Sequence, residues 1–103
     1  MDLEDVDSYL TGLDGIRRRR ADGRTTWSVD GLLVARTDAP GTLVVRVARS
    51  QRGPLLTAHP DTFGVPPRWE AHDKIQADLD GDAEAIRRAL HLDWDRQRHA
   101  RRG

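Results

Sequence analysis

Apolar residues recur every second position through the middle of this chain and every third or fourth position at its two ends. The middle stretch, Thr25 to Arg49, reads TTWSVDGLLVARTDAPGTLVVRVAR and predicts three antiparallel strands joined by two tight turns. Asp30-Gly31 lies between two apolar runs, and Asp-Gly suits a two-residue hairpin because both central residues of a type I′ turn take positive φ. That turn sets a register with Val29 opposite Leu32, Trp27 opposite Val34 and Thr25 opposite Arg36. Asp38-Ala39-Pro40-Gly41 predicts the second reversal. The next strand, Thr42 to Ala48, turns Leu43, Val45 and Val47 to one face and Val44 and Arg46 to the other.

The flanking periodicities are helical. Leu3, Val6, Leu10 and Leu13 make a single stripe on a helix from Asp2 to Leu13, with Tyr9 beside it and Gly12 and Gly15 to stop it. The acids of its first turns complement the helix dipole. Ile86, Leu90 and Trp94 recur every fourth residue on a second helix, Asp82 to about Ala100, with Asp82 as N-cap. Between these lie an edge strand from Ile16, a short helix opening near Pro54 and closed by His59-Pro60, and a connector that anchors Phe63. An extended stretch from Arg68 to Leu79 follows, with Ile75, Ala77 and Leu79 on its inner face. The expectation is one α+β domain of four or five antiparallel strands, both terminal helices on one face of the sheet. Trp27, Val34, Val45, Leu90 and Trp94 are the expected core, and Phe63 the expected anchor. Its ordered part spans about 3–96, ahead of a basic C-terminal end.

Charge refines this picture. The 103 residues hold 17 Lys+Arg against 17 Asp+Glu, so no net positive charge favours nucleic acid. The charges are nevertheless segregated: acids fill Met1 to Gly15 and dominate Gly53 to Ala85, whereas Ile16 to Arg52 and Ile86 to Gly103 are basic. Arginine supplies every cation except Lys74, and its planar fork suits phosphate or carboxylate. The run Arg17-Arg18-Arg19-Arg20 has two readings of equal weight, protection of an edge strand and a phosphate-contacting strip. The absence of cysteine excludes disulfides, thiolate catalysis and cysteine-based zinc sites. With no apolar leader and no span of transmembrane length, a soluble cytoplasmic monomer is expected.

Candidate chemistry is sparse. No Gly-rich phosphate loop, zincin pair or nucleophile elbow occurs, so an enzyme is not expected and no cofactor is implied. His91, Asp95 and His99 share one helical face near a chain end, and Asp2, Glu4, Asp5 and Asp7 cluster on the first helix; specific metal binding is expected at neither. Trp69, between Arg68 and Glu70 after two prolines, is the aromatic least explained by folding.

The runs VVRVA at Val44–Ala48, PLLTAHPDTF at Pro54–Phe63 and VPPRW at Val65–Trp69 resemble the actinobacterial branch of the MmcQ/YjbR-like proteins. So do VDGLLVAR at Val29–Arg36 and the helix carrying Asp93-Trp94. The resemblance covers roughly Leu3 to Arg96. It implies a fold similar to CyaY/frataxin and membership of a group described as predicted DNA-binding proteins. Leu32 stands where many members have Lys, and Arg68 where close relatives often have His. Three functions follow as expectations. The first is non-enzymatic DNA binding, weak and non-specific, with Arg36, Arg46, Arg49, Arg52 and Arg68 on phosphate and Trp69 stacking. On the register above, Arg36 shares a face with Trp27 and belongs at the sheet edge. The second is an interaction module for a small molecule or protein, with a groove near Arg68, Trp69 and His72. The third is frataxin-like metal binding by the N-terminal acids, an analogy of fold alone.

Overall fold

The computed structural model describes residues 1–65 and 73–102, the last three by their backbone. The helices are α1 (Leu3–Thr11), α2 (Arg49–Ala58) and α3 (Ala83–Arg102). The strands are β1 (Ile16–Ala21), β2 (Arg24–Val29), β3 (Leu32–Thr37), β4 (Thr42–Arg46), β5 (Phe63–Gly64) and β6 (Lys74–Asp78). They form one antiparallel sheet in the order β1-β2-β3-β4-β6-β5. The sheet has one strand more than the sequence pattern predicts, because the two-residue β5 is too short to show a period; it pairs Phe63 with Ala77.

Local chemistry explains most of the turns. Asp22-Gly23 and Asp30-Gly31 both have positive φ at each residue, the type I′ condition, so two successive hairpins share one device. At Asp38–Gly41 the amide of Thr42 donates to the Ala39 carbonyl at 2.9 Å, and Gly41 takes φ +79°. One expectation fails between these turns. The ladder shifts between Trp27 and Ser28: Val29 pairs with Leu32, but Trp27 pairs with Ala35 and Thr26 with Arg36. Val34 is the extra residue of a β-bulge, which inverts the predicted facing of everything beyond it on β3. Arg36 therefore lies opposite Trp27's face, on a central strand and not at the sheet edge.

α1, α3 and part of α2 cover one face. Val6 and Leu10 from α1 join Trp27, Val29, Val34, Ala35, Leu43, Val45, Val47, Phe63, Ile75, Ala77 and Leu79 from the sheet region, and Ile86, Leu90 and Trp94 from α3. The helix phase is the expected one: Trp94 is 9% exposed and Leu92 43%. Both indoles of the core also use their N–H. Trp27 Nε1 donates to Asp7 of α1 at 2.9 Å, and Trp94 Nε1 donates to the Asp14 carbonyl at 2.8 Å. Beside the bulge, Gln97 Nε2 donates to the Leu33 carbonyl at 3.3 Å. α2 starts earlier than predicted, at Arg49 after the N-cap Ala48, which makes no side-chain cap bond, so Pro54 falls inside the helix and not in its first turn. No α2 residue is fully buried; Leu55 and Leu56 only lean on the core.

Candidate nucleic-acid interface

The sheet face turned away from the helices follows from the register. β1 contributes Arg17 and Arg19, which pair with Ser28 and Thr26 of β2. Their neighbours Arg18 and Arg20 point the other way, and Arg18 forms an ion pair with Asp7 of α1. On β3, Arg36 is paired with Thr26 on one side and Val44 on the other. On β4, Arg46 pairs directly with Lys74 of β6, and Val44 with Gln76. Arg36 thus lies diagonal to Arg46, and one face of the sheet carries Arg17, Arg19, Arg36, Arg46 and Lys74. Val44 occupies the outward position that the alternation predicts yet is buried between its neighbours.

Three of these cations are crowded. Like charges directly across a strand pair are unfavourable. Lys74 shows the effect: loss of hydration lowers its pKa first, then the positive charges of Arg36 and Arg46 lower it further. The Arg36 side chain is only 16% exposed, donates to the Thr37 carbonyl at 3.3 Å and has Asp38 at 3.8 Å. Among the described residues Arg46 Nε is buried without a hydrogen-bond partner. A cluster that crowds guanidinium and ammonium groups and leaves a donor unsatisfied is suited to an anion, since an oxyanion accepts from the fork and offsets the repulsion.

Arg49 and Arg52 follow within one turn of chain, in the first half of α2, Arg49 exposed and Arg52 half-buried. Cations at the positive end of a helix dipole are the disfavoured arrangement, and the same end favours anions. The structure thus brings Arg36 and Arg46 together, sets Arg49 and Arg52 just beyond the end of β4, and adds Lys74, Arg17 and Arg19. Arg68 and Trp69 lie outside the described residues, as does the groove near Arg68, Trp69 and His72. The missed cation, Lys74, had a signal in the sequence: its alternation with Ile75 marks it as outward, the same face as Arg46 once the strands are adjacent.

Most of the other candidate groups have structural partners. Asp2 caps α1 in a reciprocal box with Asp5, and Asp7 holds Trp27 and Arg18. His91 lies against the Trp94 ring at 5.2 Å, and His99 Nδ1 lies 2.8 Å from the Asp95 carbonyl. Among the described residues no three His, Cys, Asp or Glu gather as a metal site, and no helix is long and apolar enough to cross a membrane.

Comparison with solved structures finds the same architecture elsewhere. The chain superposes on the Deinococcus radiodurans protein DR2400, described by its domain DUF419, with a TM-score of 0.74 at 20% identity, over 90% of this chain and 75% of that one. The two share a fold. No protein-family model matches the sequence, and neither does a curated protein.

Proposed function

We propose that this chain is a non-enzymatic domain of the MmcQ/YjbR-like group, to which DUF419 is related, and that its open sheet face binds the phosphate backbone of nucleic acid. The observation that carries the reading is the cross-strand crowding of Arg36, Arg46 and Lys74 on three strands of one face, with Arg17 and Arg19 extending it towards the edge. Phosphates spaced along a backbone can answer several such cations at once. Guanidinium groups do so in a bidentate manner. The side chains arise from strands, so contact is made by a flat surface and not by a helix set into a groove. Zero net charge keeps the interaction local, weak and indifferent to sequence.

The test is fluorescence anisotropy with labelled duplex and single-stranded oligomers across a range of salt. Non-specific binding of this kind gives dissociation constants on the order of 10⁻⁴–10⁻⁶ M at physiological salt. Replacing Arg36 and Arg46 together with Gln removes two phosphate contacts, so the log–log salt slope on duplex should flatten by about 1.8. Affinity should fall alike for all sequences. Trp69→Ala should act mainly on single strands, where one stacking contact is worth ~1–3 kcal/mol. Absence of saturable binding at low salt would remove the nucleic-acid reading and leave the interaction module as its successor.

A further inference from the structure

The two edges of the sheet are unequal. β5 closes one with two residues, whereas β1 closes the other with six. β1 is regular: it pairs with β2 at every position from Ile16 to Ala21 without a shift. Its residues from Arg17 to Ala21 are all exposed. The Asp22-Gly23 turn decides which backbone groups face outward. In a two-residue hairpin the residues flanking the loop, here Ala21 and Arg24, exchange hydrogen bonds, and the exchange recurs at every second pair. Arg17 and Arg19 therefore direct their N–H and C=O at β2. Arg18 and Arg20 direct theirs away from the sheet, and among the described residues no backbone group outside it meets them.

We propose that β1 accepts an added strand from an acidic polypeptide, an extended segment with Asp or Glu at successive positions, held by the outward backbone groups of Arg18 and Arg20. Main-chain bonds of this kind supply affinity, and the alternating side chains supply specificity. The placement of the charges favours that occupant. Arg17 and Arg19 lie on the open face of the sheet, Arg18 and Arg20 on the helix face. A phosphate backbone crossing the open face meets only the first two. A strand in the plane of the sheet sends successive side chains to both faces and meets all four. Arg17, Arg19 and Arg20 form no ion pair among the described residues. Glu4 and Asp7 of α1 stand on the helix side, but Arg20 and Arg24 share their cleft and Arg18 pairs with Asp7, so the edge stays net positive. A second copy of this edge would set like charges against like, which the same geometry disfavours.

The experiment is fluorescence anisotropy at low salt, using the whole chain and three labelled probes. The first is a blocked octapeptide of Glu and Val, with two acids to each Val. The second is the same peptide with four successive central backbone nitrogens methylated, and the third an oligothymidylate of eight nucleotides. The first should bind saturably and protect the Arg18 and Arg20 amides from hydrogen exchange. The methylated peptide, equal in charge, should bind at least about tenfold more weakly. Arg20→Gln removes one charge and should weaken binding by no more than about fivefold. Arg20→Pro removes the same charge and also the outward N–H, a change that an edge strand tolerates, and should weaken it at least about tenfold beyond Gln. If Arg20→Pro does not fold, the methylated peptide on the native chain decides the matter. Replacing Arg36 and Arg46 with Gln should leave the peptide unaffected, so this proposal and the nucleic-acid reading fail separately. Equal binding of the methylated peptide, equal loss in the Gln and Pro variants, or no saturation would overturn the proposal. Protection of these amides by the oligothymidylate alone would also overturn it and make the run a phosphate-contacting strip.

Discussion

Asp93→Asn tests the energetics of the carboxylate buried on α3. Burial raises the Asp93 pKa from 3.8 to about 6, against the pull of Arg96, Gln97 and Arg46. The folded protein therefore holds this proton more tightly than the unfolded chain does. Over the window between those two values the native state binds more protons, so the group's contribution to stability falls as pH rises and levels off above the upper value. The full penalty for carrying the ion at neutral pH is about 3 kcal/mol. Asparagine has nearly the same shape and no charge to desolvate. Its new N–H₂ adds a roughly constant cost of its own, about 1–3 kcal/mol if unpaired. The quantity to measure is therefore the difference in unfolding free energy between variant and wild type as a function of pH. Urea unfolding followed by tryptophan fluorescence suits the measurement, because Trp27 and Trp94 are both buried. That difference should shift in favour of the variant by about 2 kcal/mol between about pH 4.5 and about pH 7.5. A flat difference, or one moving the other way, would mean that the Arg96 ion pair outweighs the burial and that the reasoning is wrong.

Two further substitutions probe the scaffold. Gly81→Ala should destabilise by about 1–3 kcal/mol, because its Cβ would stand 2.5 Å from Thr62 Oγ1 and 3.0 Å from Thr62 Cα. Thermal unfolding should show the loss, and moving that hydroxyl would also cost the bond it accepts from the Asp82 amide at the start of α3. Asp2→Ala should cost about 1 kcal/mol through the α1 cap, where Asp2 accepts from the Asp5 amide at 2.8 Å. Asp2→Asn should restore most of it, as the melting temperatures of the two variants will show.

The elements that could be read in the sequence are those whose rule is local. Asp30-Gly31 announced its turn through two residues, and the α3 stripe announced its phase through Ile86, Leu90 and Trp94. The failures arise where the rule is not local. A bulge at Val34 is invisible when Val34 and Ala35 are both apolar, and it moved Arg36 to the face where it meets Arg46. β5 exists because β6 lies beside it, not because Phe63-Gly64 has a pattern. The cation cluster was half legible: Arg46 was placed outward correctly, but its pairing with Lys74 required knowing that β6 sits next to β4. Asp93 was legible too. It lies seven residues after Ile86 and three after Leu90, a core position of the stripe, and a charged residue there is the informative departure.

The strand order has a consequence for how the chain emerges from the ribosome. β1 to β4 are joined as consecutive nearest neighbours, so a four-stranded meander can close once Arg46 is clear of the exit tunnel. α3, which covers much of its apolar side, follows it in the chain, after α2, β5 and β6. Through that interval the nascent sheet is open along one flank and greasy on one side. Four arginines in succession line the flank that is finished first, where their mutual repulsion disfavours pairing with the same edge of a neighbouring nascent chain. Because β1 stays at the sheet edge in the finished fold, the charge that opposes such pairing is in place from the first hairpin onward.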